Sequence, residues 1–269
     1  MRGTMERAVY VARAASLQLA EGDYTRLYFG AEFCQRLVPT TKELGKAIDH
    51  AAAHDMTFTL MTPYVTGEGL ASLEPLLDVL ADRVPDAEVV INDWGTLHLL
   101  EERSDALTPV FGRLLTKQKR GPRAVKLVGK VPDTMLDPLR SIGVTAPLFR
   151  RFLATHGIAR MELDNPLHGL NVDLAAGDPP LVGSLYTPYA YVSTTRMCLT
   201  NACDRTREAV GIRPCGRECD RFTFTRTHPS MPVPLILRGN THFVRNDVLP
   251  ESLEERGIDR LVVEPEVPL

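Results

Sequence analysis

The five cysteines are the residues of this chain best suited to chemistry: Cys34 stands alone, and Cys198, Cys203, Cys215 and Cys219 follow within 22 residues. Thiolates are soft ligands that select zinc, copper(I) or iron–sulfur clusters. Cys215 and Cys219 are separated by three residues and Cys198 and Cys203 by four, spacings that zinc tolerates and that an iron–sulfur site also accommodates. Spacing therefore leaves zinc, a cluster and unrelated free thiols all open. The Pro214-Cys215-Gly216 context is a polar turn, whereas inert free cysteine favours apolar burial. Cys34 follows Phe33 and is either a small core residue or a ligand at a strand end. No CxxxCxxC run is present. The seven histidines are scattered without an HExxH pair, and no Ser/His/Asp arrangement stands out.

Hydrophobic periodicity supplies the elements that must position these groups. Residues 5–19 have helical spacing, with Val9, Val11, Ala14, Leu17 and Leu19 apolar. Short apolar runs predict strands at 26–30, 56–62, 88–92, 108–115, 160–164, 181–187, 222–225, 235–238 and 260–264. Helices are expected from Thr40, with Glu43 completing a capping box, through 54, and at 69–81, 95–102, 135–141, 147–155 and 249–256. Strands alternating with helices describe βα units and a mainly parallel sheet, and their number favours a TIM-barrel-like (β/α) barrel spanning 1–269 as one domain, with a late cysteine-rich loop. Because residues 5–19 read as a helix where a first strand is due, that barrel is expected to be incomplete or closed in another way. Chemistry in such folds gathers at the C-terminal strand ends, which is where Cys34, Asn92, Asp93 and Asp164 fall.

The bulk numbers fit a globular protein: 44% hydrophobic, 24% charged, net charge -3 and pI near 6.2. Nothing in that balance draws the chain to nucleic acid. The exception is the basic run Lys117-Gln118-Lys119-Arg120-Gly121-Pro122-Arg123, which reads as a solvated loop or as a patch for an anionic partner. No apolar run is long enough to span a bilayer, and residues 1–20 lack a signal peptide's apolar centre and cleavage site, so the expected location is cytoplasmic. Five cysteines, an odd number, argue against a disulfide framework.

Several segments resemble the so-called peptidase U32 family, and most of all its branch for oxygen-independent ubiquinone hydroxylation. They are Leu27-Tyr-Phe-Gly-Ala-Glu-Phe-Cys34, Val90-Ile-Asn-Asp-Trp-Gly95, Gly112-Arg-Leu-Leu115, and Arg196-Met-Cys198 with the later Cys215 and Cys219. The resemblance implies a 4Fe-4S cluster held by Cys34, Cys198, Cys215 and Cys219, with Cys203 as an additional cysteine. It implies oxygen-independent hydroxylation of a small aromatic or quinone-like precursor, with prephenate as oxygen donor, and not true peptidase activity. Within that reading Asp164, Asn92 and Asp93 are the catalytic candidates, while Arg113 or Arg196 could grip a donor carboxylate with its planar fork. Two alternatives stand beside it: hydroxylation of an RNA base, which the negative net charge disfavours, and a non-catalytic cluster-bearing subunit paired with a homologous protein.

Overall fold

The computed structural model describes residues 5–203 and 214–269. Eight parallel strands close into a barrel in the order β1, β12, β7, β6, β5, β4, β3, β2. They are β1 (Glu6–Val11), β2 (Arg26–Phe29), β3 (Thr57–Met61), β4 (Ala87–Ile91), β5 (Leu107–Phe111), β6 (Arg160–Leu163), β7 (Val182–Thr187) and β12 (Ile258–Val263). Around them lie α1 (Thr41–Ala53), α2 (Gly67–Arg83), α3 (Trp94–Glu101), α4 (Asp133–Arg140) and α5 (Pro147–Thr155). The barrel is thus complete, and the expected opening helix is a strand. β1 pairs with β2 and with β12, closing the cylinder, and only a 3-10 turn at Ala14–Ala20 follows it. A barrel strand is buried on both faces, so its apolar run is continuous and a helical template matches it by accident. The capping box of α1 is present, Thr40 and Glu43 each bonding the other's backbone N–H.

Between β7 and β12 the usual helical crossover is replaced by a second sheet, β8 (Tyr189–Thr194), β9 (Thr223–Arg226), β10 (Leu235–Arg238) and β11 (Thr241–Arg245), antiparallel in the order β8, β11, β10, β9. The excursion leaves from the C-terminal end of β7. It packs on the loop after β2 through Phe33, whose ring meets Tyr191 and Phe243 edge-on at 5.4 and 5.3 Å. The expected helix at 249–256 is only a 3-10 turn, Glu254–Arg256. Among the described residues, no helix is long and apolar enough to cross a membrane.

The barrel interior is stratified. Near the N-terminal strand ends Arg260 bridges Glu88, at 2.6 and 3.0 Å, and Tyr28, at 2.6 Å, while Arg26 holds Glu6 at 2.8 Å. Above them lies a waist of Tyr10, Tyr28, Tyr186, Met61, Val90 and Val262, in which Tyr186 meets Tyr10 and Tyr28 edge-on. Glu162 is buried below it, in register with Ser184, which pairs in turn with Arg260. One carboxylate oxygen accepts from Tyr28 Oη at 3.1 Å, and the other meets no protein donor among the described residues.

Burial pushes the Glu162 carboxyl up to about 7, against the opposing pull of Arg260 and Arg160. Below the ordinary carboxylate range the folded and unfolded chains both hold this proton. As pH rises toward 7 the unfolded chain releases it first, so stability falls across that window. A displacement of that size bounds the effect at about 3 kcal/mol. Glu162→Gln should flatten the decline, narrowing the difference in urea midpoint between pH 5 and pH 8; an unchanged slope would show that Glu162 is not its source.

Candidate functional site

Just above the C-terminal strand ends, four connections each send one charged side chain to the barrel axis: Glu32 after β2, Arg113 after β5, Asp164 after β6 and Glu264 after β12. All four are fully buried. Arg113 donates to both Glu32 oxygens, to Asp164 at 3.1 Å, to Glu264 at 2.9 Å and to the Tyr189 carbonyl at 3.4 Å. Its guanidinium lies 3.7 Å from the centre of the Tyr186 ring. Arg120 closes on Asp164 from the other side and donates to the Arg113 carbonyl at 2.7 Å. Burial raises the Glu32 carboxyl and pushes that of Glu264 up to about 8, although Arg113 opposes both shifts.

This cluster accounts for two residues expected to act on a substrate. Arg113, expected to grip a carboxylate, is saturated by the chain's own acids, and Asp164 is shared between two arginines and the backbone N–H of Tyr191. Asn92 ties the strand ends together, donating to the Thr62 carbonyl at 2.8 Å and accepting from Leu114 N at 3.0 Å. Glycine at 112 allows that closeness, because a Cβ there would stand 2.2 Å from the Asn92 carboxamide oxygen. Asp93 caps α3, accepting from Gly95 N at 2.8 Å. Each of these four side chains has a structural partner of its own.

The open space lies above, between the barrel mouth and the second sheet: a cavity of about 150 Å³. Cys34, Cys198, Cys215 and Cys219 all line it, although they come from three separate stretches of chain, while Cys203 is exposed and does not. Residues 204–213, within the Cys198 to Cys215 interval, lie outside the described residues. Asn240 clasps the walls, its side-chain amide reaching the Phe33 carbonyl at 2.7 Å, the Thr195 carbonyl at 2.8 Å and Tyr64 Oη at 3.2 Å. Arg196 lies at the rim with Arg36; both are exposed, and among the described residues no Asp or Glu side chain lines the cavity. Arg36, Tyr64 and Asn240 had no signal in the sequence, since the second sheet and the β3 loop bring them to the site.

The shared wall does not amount to a metal centre. Among the described residues, no group of three or more His, Cys, Asp or Glu side chains is disposed to hold a metal ion. The expected 4Fe-4S cluster is overturned on that ground. With it go the oxygen-independent hydroxylase, its RNA-directed alternative and the cluster-bearing subunit. Ligand-type residues near one cavity are a looser condition than thiolates converging on one ion, and sequence spacing reports only the first. Burial raises the Cys34 and Cys198 thiols and pushes that of Cys219 up to about 12, the neighbouring Asp220 and the other thiols adding to the effect on Cys219.

Two outcomes follow. Alkylation by iodoacetamide at neutral pH should modify exposed Cys203 first and Cys219 last, since the thiolate is the reactive form. Peptide mapping that finds Cys219 modified as fast as Cys203 would contradict the geometry. Arg113→Ala should destabilise the fold by about 3–5 kcal/mol in urea titration, because it strands buried carboxylates without their cation. A loss below about 1 kcal/mol would show that the cluster is not the mouth's principal fastening.

No protein-family profile matches this chain. No curated protein matches it either. A solved structure titled "The Structure of the U32 Peptidase Mk0906" is similar at a TM-score of 0.49 and 15% sequence identity, the alignment covering 100% of this chain and 96% of that one. The chain thus bears a distant structural similarity to a U32 peptidase fold, and that similarity does not extend to iron–sulfur binding or ubiquinone hydroxylation.

Proposed function

We propose that this chain is a small-molecule-binding barrel protein whose ligand occupies the thiol-lined cavity at the mouth. The observation that carries the reading is the cavity itself, formed where the loops after β2 and β3 meet the second sheet and the cysteine segments. About 150 Å³ is enough for one six-membered ring, the size at which an apolar protein cavity takes up benzene. Phe33, Leu37 and Tyr64 supply the apolar surface and the protonated thiols a soft, uncharged one. Arg36 and Arg196 set the sign of the ligand. Arg196 donates one N–H to the Val65 carbonyl at 3.1 Å and has no acidic partner among the described residues, so its remaining donors are available to an anionic group. The ligand class is therefore a compact ring bearing a carboxylate or a similar anion, and Arg196 is the residue that reads the charge.

Calorimetric titration with benzoate, cyclohexanecarboxylate and the neutral benzamide tests the assignment. The two carboxylates should bind and benzamide should not. Arg196→Ala should weaken the carboxylates roughly tenfold or more, the ordinary worth of a hydrogen bond to a charged group. Equal affinity for benzamide and benzoate, or no carboxylate binding at millimolar concentration, would sink the reading.

A further inference from the structure

Between Asp105 and Asp133 the chain carries no acidic residue and seven cationic ones: Arg113, Lys117, Lys119, Arg120, Arg123, Lys126 and Lys130. The structure divides them. Arg113 and Arg120 are buried against carboxylates, whereas Lys117, Lys119, Arg123, Lys126 and Lys130 are exposed, and none of the five pairs with an acid among the described residues. A protein of net charge -3 thus concentrates exposed positive charge on one connection, the stretch from β5 to α4.

That connection is a built projection. At its root Gln118 exchanges two hydrogen bonds with the Asp164 backbone, at 2.8 and 3.0 Å, and Arg120 is fastened to the Asp164 carboxylate. A 3-10 turn, Pro122–Leu127, then leads to a tight turn in which Lys130 N donates to the Leu127 carbonyl at 2.9 Å, with Gly129 at φ 72°. Lys126 Nζ braces it against the Ser230 carbonyl at 2.7 Å. The turn presents two aliphatic side chains to solvent, Leu127 and Val128, each 41% exposed and flanked by Lys126 and Lys130.

We infer that this projection docks the protein on an anionic lipid surface, with Leu127 and Val128 entering the interfacial region and the five cations facing the headgroups. The inference is independent of the ligand assigned to the cavity. Charge complementarity identifies an anionic partner, since each Lys or Arg brought near an anionic leaflet strengthens binding about fivefold. The apolar tip distinguishes lipid from nucleic acid. No aromatic residue lies between Phe111 and Phe149 to stack on a base, and exposed aliphatics contribute nothing to phosphate contact but do gain from burial among acyl chains. One loop with two aliphatics gives reversible peripheral attachment rather than insertion.

Co-sedimentation of the full chain with vesicles of phosphatidylcholine alone, and with about 30 mol% phosphatidylserine added, tests this. Binding should require phosphatidylserine and fall at least tenfold between low and high salt. It should be lost in Arg123→Glu/Lys126→Glu/Lys130→Glu and weakened severalfold in Leu127→Asp/Val128→Asp. Circular dichroism and the melting temperature should confirm that both variants fold, as expected for exposed positions. Absence of vesicle binding at low salt, equal binding to the neutral vesicles, or full binding by the charge-reversed variant would each overturn the proposal. So would tight binding of single-stranded RNA in its place. Unchanged vesicle binding by the Leu127/Val128 variant would refute the role given to the apolar tip.

Discussion

A guanidinium taken wholly out of water costs several kcal/mol unless every donor is satisfied, and the mouth of this barrel is organised around meeting that condition for Arg113. All five of its N–H groups find acceptors, on Glu32, Asp164, Glu264 and the Tyr189 carbonyl, and its flat face rests on Tyr186. The acceptors follow β2, β6, β7 and β12, and Arg113 itself follows β5. One side chain therefore fixes the relative positions of five strand ends that are distant in sequence. Removing the cation alone would leave acids with no solvent to turn to, so the constraint binds both sides.

The second sheet is tied to the same cluster. Tyr189 N donates to Glu264 at 3.1 Å, Tyr191 N to Asp164 at 3.1 Å, and Tyr191 Oη to the Arg113 carbonyl at 3.1 Å. β8 thus leaves the barrel in a register set by the buried ions, and β11 and β10 follow by pairing. Asn240, in the turn between β10 and β11, then reaches back to Phe33 and Tyr64. The cavity is what remains between a floor held by charge and a roof held by that clasp.

Most of the barrel was legible because its signals are local. The capping box at Thr40, the leucine stripe of α2 and the short apolar strands need only a few neighbouring residues to be read. β1 was misread because its apolar run satisfies two templates, and only pairing with β12, some 250 residues away, decides between them. β8 and β11 were missed for a related reason: their aromatic residues Tyr189, Tyr191 and Phe243 become a core only against Phe33, which comes from a distant loop. At the site, the four cysteines expected as ligands line one cavity, but residue type cannot specify the distance between sulfurs. The buried acids tell the same story from the other side. Asp164 was legible as a polar strand-end residue, while its engagement by Arg113 and Arg120 depends on side chains 51 and 44 positions away.

The charge state of the buried cluster bears on what the cavity above it can accept. Arg113 and Arg120 contribute two positive charges, and Glu32, Asp164 and Glu264 would contribute three negative ones if all were ionised. Burial pushes the Glu264 carboxyl up to about 8 and raises that of Glu32 as well, so the cluster carries less negative charge than that formal count. The Cys34, Cys198 and Cys219 thiols are raised for the same reason, desolvation, acting on a different acid. An anion entering the cavity therefore meets a floor whose carboxylate charge burial reduces, with Arg36 and Arg196 at the rim. Desolvation of the mouth thus raises carboxyls in the floor and three of the thiols in the walls alike. It leaves recognition to the two exposed arginines, the only charged side chains that line the space among the described residues.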